Sequence, residues 1–236
     1  MQFAIIGLGV FGITCAKELE KLGNQVLAID IDEKLVDDIS EYVTRAVIAD
    51  ATDKDTIEEL DLASFDGVLV SIGDNLEASL LCTLHQLSLN VQNLWVKAKA
   101  DSHHQILQSL GVNNIIHPEQ DMGIRIAQKM NYPMVKQYMA LGDEQFLVRL
   151  DPPEQWRGHP WSDVQHSHPD IIFIMLKRNQ QIFNQLPDGF FFQGGDKLVV
   201  GGDTQALRRL AKAIRQTAIY PTTHAKKVIR CRYAVS

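Results

Sequence analysis

The chain has 236 residues, 45% hydrophobic and 22% charged, with a formal net charge of −6, which is the composition of a soluble globular protein with one large domain or two small ones. Disorder, collagen-like repetition and a small disulfide scaffold are excluded, and three cysteines without a CxxC spacing (Cys15, Cys82, Cys231) fit a reducing compartment. The acidic balance gives no support for a nucleic-acid partner. Apolar runs such as Ile171–Leu176 fall far short of the roughly 18 residues that a spanning helix needs, and the N-terminus enters a strand-like stretch with no basic leader. The expectation is a cytoplasmic protein that can attach peripherally to the inner face of the membrane.

From Met1 to about His117, short apolar runs alternate with stretches of helical spacing. The runs are Gln2–Ile6, Gln25–Ile29, Ala46–Ala49, Gly67–Ile72, Asn93–Val96 and Asn114–Ile116. Each is nearly continuously apolar, as parallel strands covered on both faces require. Between them, Ala16–Leu22, Asp53–Leu60, Leu76–Leu89 and Ser102–Leu110 read as crossover helices. The pattern predicts an α/β fold with a Rossmann-like, doubly wound parallel sheet. Asp53 with Thr56, and Asp101 before His104, are predicted N-terminal caps; Gly23 and Gly111 sit where helices should end.

Pro118–Lys129 reads as a further helix, broken or kinked at Asn131-Tyr132-Pro133, and Met134–Leu141 as its continuation into a helical connector. Beyond Gly142 the texture becomes β-rich. Phe146–Leu150, Ile171–Lys177 and Asp196–Val200 are strand candidates, Trp156–Val164 is short and mixed, Pro187-Asp188-Gly189 is a turn, and Thr204–Arg215 is a helix. The expected domains are Met1–Leu141 with its connector, a smaller α+β domain over Gly142–Gln216, and a basic tail, Thr217–Ser236. The tail carries Lys226, Lys227, Arg230 and Arg232 and no acidic residue. A loosely attached end and an arm touching anionic lipid or a partner both fit it.

The chemistry concentrates in Gly7-Leu8-Gly9-Val10-Phe11-Gly12, which follows the first strand and opens the first helix. Gly7 allows the tight turn, Gly9 lets backbone approach a pyrophosphate, and Gly12 lets the helix pack against the strand, while amides at the helix start point at phosphate. Asp30 closes the second strand, where a carboxylate can accept hydrogen bonds from ribose hydroxyls. Ligands of such sheets bind outside the carboxyl ends of the strands. The other candidates lie there too: Asp50, Ala51 and Thr52 beside adenine, Ile72, Gly73 and Asp74 after the fourth strand, Lys97 as a positive charge, and Glu119 after the sixth.

An enzymatic reading finds little. Tyr132 and Lys136 have the Tyr-x-x-x-Lys spacing of short-chain dehydrogenases but lie on the connector around Pro133. His103-His104 and His166/His168 lack further ligands at metal spacing, and Cys15 and Cys82 fall on apolar helix faces.

The chain resembles the RCK/KTN family (TrkA-N plus TrkA-C domains), especially the Ktr/Trk-type cytosolic subunits of bacterial potassium uptake. The residues that carry this are Ala4–Gly12, Val26–Asp30, Ala49–Thr52, Ile72-Gly73, Leu94–Ala98 and above all Ile115-Ile116-His117-Pro118-Glu119-Gln120-Asp121-Met122-Gly123. In the second part they are Trp156–Asp163 and Gly194–Gly202; the likeness runs over about residues 1–215.

The resemblance implies a non-enzymatic subunit that binds an adenine nucleotide (ATP/ADP or NAD/NADH) as an allosteric effector. It further implies dimerisation through the helix after the sixth strand, assembly into a ring that is typically an octamer, and docking on a potassium-translocating membrane subunit. Glu119 matches a position that binds a divalent or sodium ion near the phosphates, and the C-terminal domain of some relatives binds cyclic di-AMP. Ktr relatives usually carry an arginine where this chain has Val10. A NAD-dependent oxidoreductase and an RCK-type regulator of a different transporter are the alternative readings.

Overall fold

The computed structural model describes residues 1–131, 135–187 and 189–216. In chain order it contains β1 (Gln2–Ile6), α1 (Val10–Lys21), β2 (Gln25–Asp30), α2 (Glu33–Ser40), β3 (Arg45–Ile48), α3 (Lys54–Glu59), β4 (Gly67–Val70), α4 (Leu76–Ser88), β5 (Leu94–Lys97), α5 (Asp101–Ser109), β6 (Asn114–Ile116) and α6 (Pro118–Asn131). These are followed by β7 (Val135–Gly142), β8 (Gln145–Leu150), α7 (Trp161–Ser167), β9 (Ile172–Arg178), β10 (Gln181–Phe183), β11 (Lys197–Asp203) and α8 (Thr204–Gln216). The chain divides into two compact units, Met1–Gly123 and Ile124–Ser236.

In the first unit six strands pair in the order β3-β2-β1-β4-β5-β6, every pair parallel. The order reverses direction between β1 and β4, which opens a crevice at the carboxyl ends of those strands. One face of the sheet packs Ala4, Ile6, Leu27, Ile29, Val68, Val70, Leu94 and Val96 into a core with Ile57, Cys82 and Leu107 from α3, α4 and α5. The other packs Ile5, Val26 and Ala28 against Ala16 of α1 and Val36 and Ile39 of α2. Strands buried on both faces explain the continuous apolar runs.

Local signals explain the helix ends. Asp53 accepts hydrogen bonds from the Asp55 amide (3.3 Å) and the Thr56 hydroxyl (2.6 Å), which also holds its carboxyl below the usual range, Thr56 contributing most. Gly23 and Gly111 take φ of +84° and +89°, the left-handed geometry that stops a helix. Asp101 is not a cap: α5 begins at Asp101, behind the extended Ala100.

The second unit is an antiparallel sheet in the order β10-β9-β11-β8-β7, with α8 supplying Ala206, Leu210 and Ile214 to a core that includes Val148, Leu150, Leu176, Phe192, Leu198 and Val200. The helical connector expected over Met134–Leu141 is corrected here. Residues from Val135 form β7, paired with β8 through a two-residue loop in which Asp143 and Glu144 have φ of +47° and +58°, as in a type I′ hairpin.

The register of β7 shifts between Val135 and Gln137. That extra residue puts Val135 and Tyr138, three apart, against the same core, so a bulge imitates helical spacing. The kink expected at Tyr132-Pro133, the turn at Asp188 and the tail from Thr217 lie outside the described residues.

Candidate functional site

The glycine loop leaves β1 at Gly7, whose φ of +92° is open to glycine and strained for other residues. Its amide donates to the Ile29 carbonyl at 2.9 Å. Gly12 is buried where α1 crosses this turn; a β-carbon there would lie 2.0 Å from the Gly7 carbonyl oxygen and 2.6 Å from Ser71 Oγ. A β-carbon at Gly9 would meet nothing within 4 Å. Gly9 is also the N-cap residue of α1 and provides no side-chain cap, so the first amides of the helix are left for an external acceptor. Leu8 is fully buried and anchors the loop, whereas Val10 is 88% exposed and Phe11 half-buried.

Ser71 and Asp30 lock this loop by hydrogen bonds, and Ile72 closes the space beside it. Ser71, buried at the end of β4, donates its hydroxyl to the Gly7 carbonyl at 2.5 Å. Ile72 follows it, with its amide 3.0 Å from where a Gly7 β-carbon would sit. Asp30 receives the Leu8 amide at 2.5 Å and the Asp32 amide at 2.9 Å. Both Asp30 oxygens therefore organise backbone, and their remaining lone pairs stay open to a ligand's hydroxyls.

A second cluster forms where β4, β5 and β6 end. The Lys97 ammonium lies 2.5 Å from Glu119 Oε1 in the first turn of α6, 6.0 Å from the centroid of the Phe11 ring, and 3.3 Å from where a Gly73 β-carbon would stand. The hydrogen bond from Lys97 holds the Glu119 carboxyl below the usual glutamate range, helped by its own amide and by the charges of Lys97 and His117. Asp74 is exposed and sits 3.7 Å from the Lys99 ammonium.

Asp50, Ala51 and Thr52 are not tied to either cluster by a hydrogen bond. Asp50 Oδ1 accepts from the amide (2.9 Å) and hydroxyl (2.7 Å) of Thr52, Ala51 is buried in the core, and the Thr52 carbonyl meets His85 Nε2 of α4 at 3.0 Å.

Burial pushes the Cys82 thiol up to about 12. His103 Nδ1 accepts the Lys99 amide at 3.3 Å, and burial, with the charge of His117 adding, depresses its pKa. His104 Nδ1 and His117 Nε2 lie 2.9 Å apart in stacked rings. Lys136 stands on β7, 4.0 Å from Asp151, so it is not on a helix one turn from residue 132. Among the described residues no group of three or more His, Cys, Asp or Glu could hold a metal ion.

Comparison with known proteins locates these features. The TrkA-N domain family model matches residues 3–118. Ktr system potassium uptake protein A of Bacillus subtilis is 46% identical over 149 residues, covering 63% of this chain and 67% of the relative. Protein C of the same system and organism is 34% identical over 217 residues, covering 92% and 98%. Protein A of Vibrio alginolyticus is 34% identical over 214 residues, covering 90% and 97%.

In fold, the RCK domain of GsuK superposes with a TM-score of 0.60 at 14% identity over 90% of this chain and 47% of the other, and the GsuK channel bound to NAD with 0.59. With relatives of over 30% identity matched across nearly their whole length, the chain belongs to the RCK/KTN family, in the group of the Ktr system potassium uptake proteins.

Proposed function

We propose that this chain is a cytosolic, nucleotide-binding regulatory subunit of a potassium uptake system, acting on a pore formed by a separate membrane chain. The observation that carries the proposal is similarity over 97–98% of the length of two Ktr system potassium uptake proteins. Among the described residues no helix is long and apolar enough to cross a membrane. The GsuK channel bound to NAD contains the same fold, which supports an adenine nucleotide (ATP/ADP or NAD/NADH) as the regulatory ligand.

In this reading the amides of Val10, Phe11 and Gly12 receive phosphate, with Gly7, Leu8 and Gly9 shaping the turn. Asp30 receives ribose hydroxyls, Asp50 to Thr52 border the adenine, Ile72, Gly73 and Asp74 form the facing wall, and Lys97 supplies positive charge. A cation at Glu119 would take its remaining ligands from the nucleotide or a second copy. The nucleotide acts as an effector and is not consumed; it shifts the gate by the difference in its affinity for the two conformations.

Ring assembly fits two separate apolar surfaces. Met122, Ile124, Ile126 and Met130 are exposed on α6, and Leu81, Leu84 and Ile106 on α4 and α5. Two patches on different elements allow dimers to join into a closed ring, an octamer in the proposed assembly. The test is calorimetric titration with ATP, ADP, NAD and NADH beside the mass in solution, and potassium uptake by a deficient strain producing this chain with a Ktr-type membrane subunit. The expected result is saturable binding by an oligomer and nucleotide-dependent uptake. A monomer without nucleotide affinity would overturn the proposal.

A further inference from the structure

The Lys97–Glu119 pair is asymmetric. The Lys97 side chain is 13% exposed and that of Glu119 70% exposed. Lys97 is held against Gly73 and faces the Phe11 ring in the first turn of α1, so its ammonium points to the place where the glycine loop would present phosphate. The carboxylate that neutralises it comes from the first turn of α6, on the solvent side. A ligand phosphate and Glu119 therefore claim the same ammonium. The exposed partner is the one that can leave, because a released carboxylate is rehydrated at once.

The surrounding rim adds to the effect. Asp30 and Asp50 close β2 and follow β3, Asp74 follows β4, and Lys99 is already beside Asp74. Val10, exposed at the opening of α1, adds no charge. A polyphosphate thus enters a site whose inward-facing ammonium is occupied by a built-in anion.

Resting on the nucleotide-site reading above, we propose that Glu119 is a specificity-determining counter-ion: by occupying Lys97 it discriminates against nucleotides in proportion to their phosphate charge. A nucleotide that does take Lys97 must displace the exposed Glu119 side chain, while the start of α6 stays tied to β5 through the Ala98 amide on the Ile116 carbonyl.

The test is titration of wild type and Glu119→Gln with adenosine, NAD, ADP and ATP, first in EDTA and then with MgCl2. In EDTA the variant should gain affinity in the order adenosine (no change), NAD, ADP, ATP, reaching about two- to fivefold for ATP, as for removal of one partly exposed charge contact. In a Lys97→Met background the same substitution should give a smaller gain, and the melting temperatures show that each variant is folded. Equal affinities in EDTA, with loss only when magnesium is present, would identify Glu119 as a cation ligand alone and overturn the inference. If wild type binds none of the four, the nucleotide site itself is refuted and this inference falls with it.

Discussion

Gly9, the N-cap of α1, and Gly12 in its first turn should answer alanine in different ways. At Gly12 an added methyl would stand 2.0 Å from the Gly7 carbonyl oxygen, about 1 Å inside the 3.0 Å that real β-carbons keep, and 2.6 Å from Ser71 Oγ. The obstruction is backbone held on both sides, since the Gly7 amide is bonded to Ile29 and its carbonyl to Ser71. Relief requires α1 to retreat from β1 by about 1 Å, loosening Ala16 from the core it shares with Ile5 and Leu8. Overpacking of this kind costs about 3 kcal/mol, or roughly 6–12 °C in melting temperature for a chain of this size.

At Gly9 the backbone is extended (φ −66°, ψ 179°) and the methyl meets nothing within 4 Å. Alanine there stiffens the unfolded chain but is a poorer helix N-cap than glycine, so stability stays within about 1 kcal/mol of wild type. It does, however, place a group where a pyrophosphate must approach, so nucleotide affinity should fall by about tenfold or more, some 1.4 kcal/mol. Thermal melts followed by calorimetry on both variants decide the matter. A Gly12→Ala protein that melts like wild type would rule out the clash with the Gly7 carbonyl, and a Gly9→Ala protein that binds nucleotide like wild type would rule out close approach of a pyrophosphate at Gly9.

In the second unit, Asp196 is 2% exposed and receives Arg178 Nε and Nη2 at 2.7 and 2.8 Å and the Gln193 amide at 2.9 Å. Asp196→Ala should destabilise by about 3–5 kcal/mol in urea melts, because the guanidinium is left without its carboxylate. His103 and His168 both have folded pKa values lowered chiefly by burial. The unfolded chain therefore takes up protons first as pH falls through about 6.5, so stability declines from there until the lowered folded values are passed. His103→Gln should flatten that slope between pH 7 and 5.5, and an unchanged slope would refute the assignment.

Much of the first unit was readable along the chain because its determinants are local or nearly so. Parallel strands buried on both faces must be apolar throughout, and Gly7, Gly9 and Gly12 are dictated by backbone conformation and clearance. Asp53, Gly23 and Gly111 mark helix ends for equally local reasons. The stretch Val135–Gly142 carries helical spacing although it is a strand, because a bulge in a long-range pairing reproduces that spacing. The short helix Glu33–Ser40 and strand Gln181–Phe183 carry too few residues to establish a period.

The residue types that stand at the carboxyl ends of the six strands are legible along the chain, since strand ends follow from where apolar runs stop. How those residues pair is not written along the chain: Leu8 with Asp30, Gly7 with Ser71, and Lys97 with Glu119 across 22 positions. Those partners are set by strand order, which places β1 between β2 and β4 and β5 beside β6. A carboxylate's place in the chain does not say whether it will face a ligand, a backbone amide or an ammonium.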